Sequence, residues 1–481
     1  MTALCILAVA VNLHGGCVHH DTGPLGAASH PDAERWKVRK LKEAGFNAVR
    51  LGCNPFPEAF LEACDEEGLF VIDDMFDMWR EGKSEADFSR DFERDWAEAL
   101  EAVVRRDRVH PSVAMWSIGN EILERTSDWA AEQAVRMVQL CKKLDPGRPV
   151  TMALCTWGGD DEWLAQDKLA SALDIVGYNY AENRVDDDHA RHPERVIVLT
   201  ETYPRDATNV WRIVKDRPYV IGEFVWSAMD YRGESMIGRS YYEGEEEPGD
   251  HFRIKNSFPW HGANCGDIDL IGRRKPISHL RETLWNENAP TYLAVREPDG
   301  WKGKIVTTDW GTWPTFESWN FKGWEGKPVF VEVYSRAPRV RLVVNGSVAG
   351  EKPNGEDNAY FSEFAVAYEP GEIVAYGIDA HGNVLDSARI ATSGEPVAVR
   401  FVSETVGELE FLTAETVDAN GVFCPDGEID VEFDGDVIAT ASDNMKDCVP
   451  ATSRIRRTSH GRAMAVRRVH RPGTDSRRQA F

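Results

Sequence analysis

Between residue 12 and about residue 230 the chain repeats one pattern eight times, a short apolar run that reads as a strand followed by a stretch that reads as a helix. The runs are LHGGCVHH (12–19), FNAVRLG (46–52), GLFVIDD (68–74), VAMWSIGN (113–120), PVTMAL (149–154), DIVGYNY (174–180), VIVLTE (196–201) and YVIGEFVW (219–226). Segments between them, such as 33–44, 57–67, 90–108 and 128–144, carry apolar residues every three or four positions, which gives a helix one apolar face. Eight βα units in series predict a closed (β/α)8 barrel, an α/β fold whose reactive groups sit where strands end and loops begin. A last helix is expected at 277–286, after a polar insertion at 231–276 long enough to shape a pocket.

After Pro298-Asp299-Gly300 the pattern changes to alternating strands, as in PVFVEVYS (328–335), VRLVVNG (340–346), IVAYGID (373–379) and LEFLTAETV (409–417), with turn signals such as Asn345-Gly346 between them. This predicts a barrel domain over 1–298 and two all-β Ig-like sandwiches, over 299–394 and 395–481. The end of the second is aberrant: RRVHRPGTDSRRQAF lacks strand alternation. A shifted reading frame or a non-native tail accounts for it, with a basic nucleic-acid-binding tail as the rival reading.

The formal charge of −25 argues against nucleic acid or an anionic membrane as the main partner. Residues 451–481 hold nine Arg and one Asp, so the preceding 450 residues carry about −33. Nine scattered Cys contain no C-x-x-C pair, which spells neither a zinc cluster nor a redox motif and suits thiols in a reducing compartment, hence a cytoplasmic location. ALCILAVAVN (3–12) has the apolarity of a signal core but no preceding Lys or Arg, and it is too short to span a bilayer. It reads better as residues leading into the first barrel strand.

Strand four ends in SIGNE and strand seven in LTE, which puts Asn120, Glu121 and Glu201 at the catalytic rim. Those strand ends face each other across the barrel mouth, so two carboxylates can flank one sugar ring. Retaining glycoside hydrolysis needs such a pair about 5–5.5 Å apart, one protonating the leaving oxygen and the other attacking the anomeric carbon.

SIGNE with LTETYP, the run FNAVRLGCNPFPEAFLEACDEEGLFVIDD and the strand-eight segment GEFVWSAMDY together resemble glycoside hydrolase family 2, the β-galactosidase and β-glucuronidase group. The resemblance covers about 12–295, and DWGTWPTFESWNFKGWEGKPVFVEVYS with VRLVVNG resembles the Ig-like domains that follow this barrel in the family. It implies that Glu121 is the acid/base and Glu201 the nucleophile. Glu223, in VIGEFVW, is the rival nucleophile, on a strand where the family places none. Ionised Glu201 is expected to raise the pKa of Glu121 and keep it a proton donor.

The same resemblance implies a 2-hydroxyl contact for Asn120, and a hydrogen bond from Tyr180 to the nucleophile, with Tyr178 as the register alternative. It further implies a sugar contact for His19, with His20 one step away, and a stacking surface at Trp226. Asp74 and Trp79 are expected to line the subsite, and Arg50 to orient a carboxylate within it. Cys53 stands where the family often has His. No metal ligand spacing is visible after VIDD, so neither a metal nor another cofactor is expected. The family normally carries a sugar-binding jelly-roll and an Ig-like domain before the barrel, whereas here the barrel starts at once, so either a misplaced start codon or a truncated gene is expected. The whole reading is a retaining exo-β-glycosidase acting on terminal β-D-galactosides, with a carbohydrate as partner, no nucleic acid or membrane, and a homo-oligomer allowed for. The alternatives are a β-glucuronidase or β-mannosidase, separated by whether a cation such as Arg50 or one in loop 231–276 meets a sugar carboxylate, or an inactive carbohydrate-binding remnant.

Overall fold

A computed structural model describes residues 5–6, 9–28, 30–235, 237–245, 260–445, 454–456 and 461–469. The chain divides into two compact units, Met1–His20 with Val38–Met229, and Asp21–Lys37 with Asp230–Phe481.

In the first unit eight parallel strands close into a barrel: β1 (Leu13–Val18), β2 (Ala48–Leu51), β3 (Phe70–Asp74), β4 (Val113–Asn120), β5 (Val150–Leu154), β6 (Val176–Asn179), β7 (Ile197–Thr202) and β8 (Val220–Val225). Each lies within two residues of its predicted run. Closure comes from β8 pairing in parallel with both β7 and β1, with Gly222 opposite Leu13 and Val225 opposite Gly16. Before β1, Cys5–Ile6 and Val9–Ala10 pair as two short antiparallel strands rather than extending the barrel strand.

The strands are largely buried on both faces, which is why they read as mainly apolar runs. At Gly177 the packing leaves no room for a side chain: a Cβ there would lie 2.7 Å from the Met152 carbonyl oxygen and 2.8 Å from the Thr200 methyl.

Helices follow the strands: α1 (Pro31–Glu43), α2 (Glu58–Glu67), α3 (Ser89–Asp107), α4 (Asp128–Leu144), the short α5 (Asp160–Ala165) and α6 (Asp167–Ala170), α7 (Val185–Arg191) and α8 (Ala207–Asp216). In α3, Phe92, Trp96, Leu100 and Val104 recur every fourth residue, and all four are buried. The start of α4 is set by Ser127, whose side chain accepts a hydrogen bond from the Ala130 amide. No helix among the described residues is long and apolar enough to cross a membrane. The thiols of Cys17, Cys53, Cys141, Cys155 and Cys424 form no disulfide.

The second unit contains the expected late helix, α9 (Pro276–Trp285), and then antiparallel sheets. Strands Tyr292–Arg296, Thr315–Phe316, Pro328–Tyr334 and Phe361–Ala367 form one four-stranded sheet. Arg339–Val344, Ser347–Pro353, Glu372–Ile378 and Val384–Ala391 form another. Leu293, Val331 and Phe364 of the first share a buried core with Leu342, Ile373 and Ile390 of the second, which makes the pair a sandwich. It begins at Tyr292, ahead of the expected boundary at 299.

A third four-stranded sheet joins Ala398–Val406, Leu409–Val417, Arg462–Arg468 and Asp436–Ser442. Its strand Arg462–Arg468 runs into the basic segment, where Arg467 pairs with Glu410 at 2.5 Å. The remainder of the aberrant tail, 470–481, and most of the pocket-shaping part of the insertion, 246–259, lie outside the described residues.

Candidate active site

Three residues at the barrel mouth leave their strands through backbone conformations that non-glycine residues seldom adopt: Cys53 two positions past β2 (φ 59°), Glu121 immediately past β4 (φ 43°) and Tyr180 immediately past β6 (φ 51°). Such conformations gather where surrounding structure holds a side chain in a set direction. The Glu121 amide donates to the Ala153 carbonyl of β5 at 2.9 Å, and the Tyr180 amide donates to the Glu201 carbonyl of β7 at 2.9 Å.

Arg50, fully buried on β2, is the centre of the site. Its Nη1 donates to Glu201 Oε1 at 2.7 Å, its Nε to Asp74 Oδ2 at 2.9 Å and its Nη2 to Asn120 Oδ1 at 2.9 Å. Asn179, at the end of β6, donates from Nδ2 to both Asn120 Oδ1 and Glu121 Oε1, each at 3.0 Å, while its own Oδ1 accepts from the Thr200 hydroxyl at 2.7 Å. Asn120 Nδ2 donates to Asp77 Oδ1 at 2.9 Å, and that same oxygen accepts from Lys83 Nζ at 2.7 Å. Lys83 also donates to the Asn120 carbonyl at 3.0 Å. Glu121 and Glu201 are thus tied into one hydrogen-bonded network through Asn179, Asn120 and Arg50.

Electrostatics distinguish the members. Burial raises the Glu201 pKa, the Arg50 guanidinium pulls it back, and the nearby Glu121 carboxylate raises it again, so that it stands at about 7. A hydrogen bond from Tyr180 also favours its charged form. Glu201 is the more deeply buried of the two carboxyls. Burial likewise raises Asp74 despite its bonds to Arg50. For Lys83 burial opposes the charge, but Asp77 outweighs it and the ammonium is raised.

His19 and Trp226 meet at the same mouth, with ring centroids 4.9 Å apart in an edge-on arrangement. His20 beside it is exposed, and the Trp226–Ser227 peptide is cis. The Tyr180 ring lies 4.4 Å from that of Tyr203.

Some expected residues stand elsewhere. Asp74 does not line an open subsite: it is fully buried as the counter-ion of Arg50. Trp79 is fully buried too, its indole donating to the Ile118 carbonyl at 2.9 Å and packing on Phe92 and Trp129. Tyr178 points away from the mouth, its hydroxyl donating to Asp188 of α7 at 2.6 Å, which leaves Tyr180 as the tyrosine at Glu201. Glu223 is buried mid-strand in β8, opposite His14 near the start of β1 and Leu199 of β7, so it sits two residues below the level of Glu201.

Sequence reasoning passed over Asp77, Lys83 and Asn179. Asn179 was legible as the inward residue between two tyrosines whose strand ends at that point; Asp77 and Lys83 lie in an irregular loop where periodicity carries no signal.

Residues 4–236 match the family profile "Glycosyl hydrolases family 2, TIM barrel domain", and residues 326–386 match "Domain of unknown function (DUF4982)". The chain is 27% identical to Beta-galactosidase BoGH2A of Bacteroides ovatus over 88% of its own length and 54% of that protein's. It is 26% identical to a Beta-glucuronidase of Bacteroides fragilis over 59% of its length and 43% of that protein's. Among solved structures, a glycosyl hydrolase family 2 member from Bacteroides cellulosilyticus aligns with a TM-score of 0.86 at 36% identity, covering 96% of this chain and 59% of that one. The chain therefore spans about half the length of the curated relatives it matches.

Proposed function

The chain belongs to glycosyl hydrolase family 2 through its TIM-barrel domain, and we propose that it is a retaining exo-β-glycosidase acting on terminal β-D-galactosides. The observation that carries this reading is the pairing of a buried, Arg50-bound Glu201 with a Glu121 held by Asn179 on the facing strand end. Glu201 attacks the anomeric carbon and forms the glycosyl-enzyme, while Glu121 protonates the departing oxygen. Burial and the Glu121 charge raise the Glu201 pKa while Arg50 and Tyr180 favour its charged form, and the reaction requires Glu201 ionised with Glu121 carrying the proton. In the second step Glu121 takes a proton from water, which attacks the same carbon from the face the leaving group vacated. Asn120, its side-chain Oδ1 held by Arg50 and Asn179, is placed to contact the sugar 2-hydroxyl, with His19 and Trp226 forming an aromatic corner for the ring.

Among the described residues of the network, the two cations are already committed, which favours a neutral sugar such as galactose over a uronic acid at this position. Arg50 is fully buried on Asp74, Glu201 and Asn120, and Lys83 is paired with Asp77.

The test is hydrolysis of aryl β-galactoside, β-glucoside, β-glucuronide, β-mannoside and β-fucoside by the chain beside Glu201→Ala. Turnover of the galactoside that disappears in the variant is the expected result. Preference for the glucuronide or mannoside would move the substrate assignment, and absence of turnover by a folded protein would support an inactive remnant.

A further inference from the structure

Trp157 stands in the loop that follows β5 and is 64% exposed, although tryptophan is ordinarily among the more buried side chains. Its position is nevertheless built. The Arg125 guanidinium lies 4.2 Å from the indole centroid and covers one face of the ring. Arg125 is itself buried, donating from Nη1 to the Ile122 carbonyl at 3.0 Å and pairing with Glu162. Glu162 Oε2 accepts from the Trp157 amide at 2.7 Å and from the Thr156 hydroxyl at 2.8 Å. Burial is outweighed by a hydrogen bond from the Gly158 amide, by these two bonds and by the Arg125 charge, which hold the Glu162 carboxyl below its ordinary range, so the clasp is charged at neutral pH.

The platform is joined to the proton donor's loop at both ends. Arg125 follows Glu121 by four positions, and the Glu121 amide is bonded to Ala153, four positions before Trp157. A proton donor must sit at the glycosidic oxygen, so the ring that departs with that oxygen lies on the side of Glu121 rather than of Glu201. A rigid indole with one face backed by a guanidinium and the other open is what the apolar C–H face of a pyranose stacks on.

Resting on the glycosidase reading above, we propose that Trp157 is the binding platform for the leaving-group sugar, a subsite distinct from the pocket that holds the cleaved galactosyl ring. Three β-galactosyl substrates test it: the fluoride, whose leaving group has no ring, an aryl galactoside and a disaccharide, each with the native chain, Trp157→Ala and Trp157→Phe. The expected result is an unchanged kcat/KM for the fluoride in every form. For the disaccharide Trp157→Ala raises KM about tenfold with kcat little altered, and Trp157→Phe restores most of the loss. Equal losses on all three substrates, or none on the disaccharide, would overturn the proposal. A loss confined to the aryl galactoside would replace the sugar by an apolar aglycone as occupant and overturn it too. If the native chain turns over none of the three, the galactosidase reading fails and takes this subsite with it.

Discussion

Arg50 and Glu201 are 151 positions apart in the chain and 2.7 Å apart at the barrel mouth, where one guanidinium bonds Glu201, Asp74 and Asn120 together. A planar fork with five donors can serve three acceptors in fixed directions. The Arg50 charge is in turn kept by Asp74, so the position of the candidate nucleophile depends on a carboxylate that never reaches the open site.

Arg50→Lys keeps the charge but replaces the fork by a single ammonium, which cannot hold Asp74 and Glu201 in their present geometry. The expected outcome is a fall in kcat of about 10²-fold or more with the far-ultraviolet circular dichroism unchanged. Activity within a factor of two of the native chain would show that Glu201 is positioned by other means.

The pH dependence follows from the raised Glu201. Catalysis needs the ionised carboxylate, so kcat/KM is expected to rise with pH through an acid limb near 7. Stability runs the other way. The folded state holds the proton up to about 7 while the unfolded chain releases it near 4.5, so stability falls as pH rises between those values and is level above them. Glu201→Gln removes this penalty and should exceed the native chain in stability at pH 8, on the order of 3 kcal/mol, but not at pH 4. Denaturant unfolding at the two pH values measures the difference.

Leaving-group dependence separates the two glutamates. Glu121→Ala should hydrolyse a dinitrophenyl galactoside, whose leaving group departs without a proton, yet lose about 10²–10⁴-fold on a disaccharide. Added azide should then speed the variant's second step and yield the β-galactosyl azide. Glu201→Ala should be inactive on both substrates, and a Glu201→Ala enzyme that still cleaved the dinitrophenyl galactoside would reopen Glu223 as nucleophile.

Asp77 holds Asn120 from one side while Lys83 neutralises it. Asp77→Asn keeps the shape but weakens both bonds, and kcat should drop by about tenfold or more while the thermal midpoint moves little. A parallel drop in the midpoint would mark Asp77 as a structural residue of its loop.

In the second unit Arg281 and Asp267 are both fully buried, with Nε and Oδ2 3.0 Å apart. Arg281→Met strands the carboxylate and should cost about 3–5 kcal/mol in denaturant unfolding. Adding Asp267→Leu should recover most of the loss, since an apolar pair of similar volume needs no counter-charge.

The barrel was legible because buried parallel strands are mainly apolar, and each of the eight runs is apolar except at a few positions, such as Arg50, Asp74, Asn120 and Glu201. Glu121 and Glu201 stood out as acids ending such runs on facing strands. Tyr178 and Tyr180 could not be separated from the sequence, because the chain turns at Tyr180 with a positive φ and strand alternation no longer says which way a side chain points. Asp74 and Trp79 adjoin the rim in sequence, yet one is drawn under Arg50 and the other into the aromatic packing around Phe92. Asp77, Lys83 and Trp157 sit in loops, where residue spacing has no fixed relation to direction.

What the order of residues determined by itself is the alternation of apolar strand and amphipathic helix, and with it the barrel and the level of the rim, since periodicity is a local property of consecutive side chains. What only the tertiary structure decided is the partnership across the mouth: that Arg50 serves Glu201, that Asn179 serves Glu121, and that Arg125 backs Trp157. Those contacts join strands and loops that are neighbours only once the barrel has closed, and the burial that raises Glu201 exists only then.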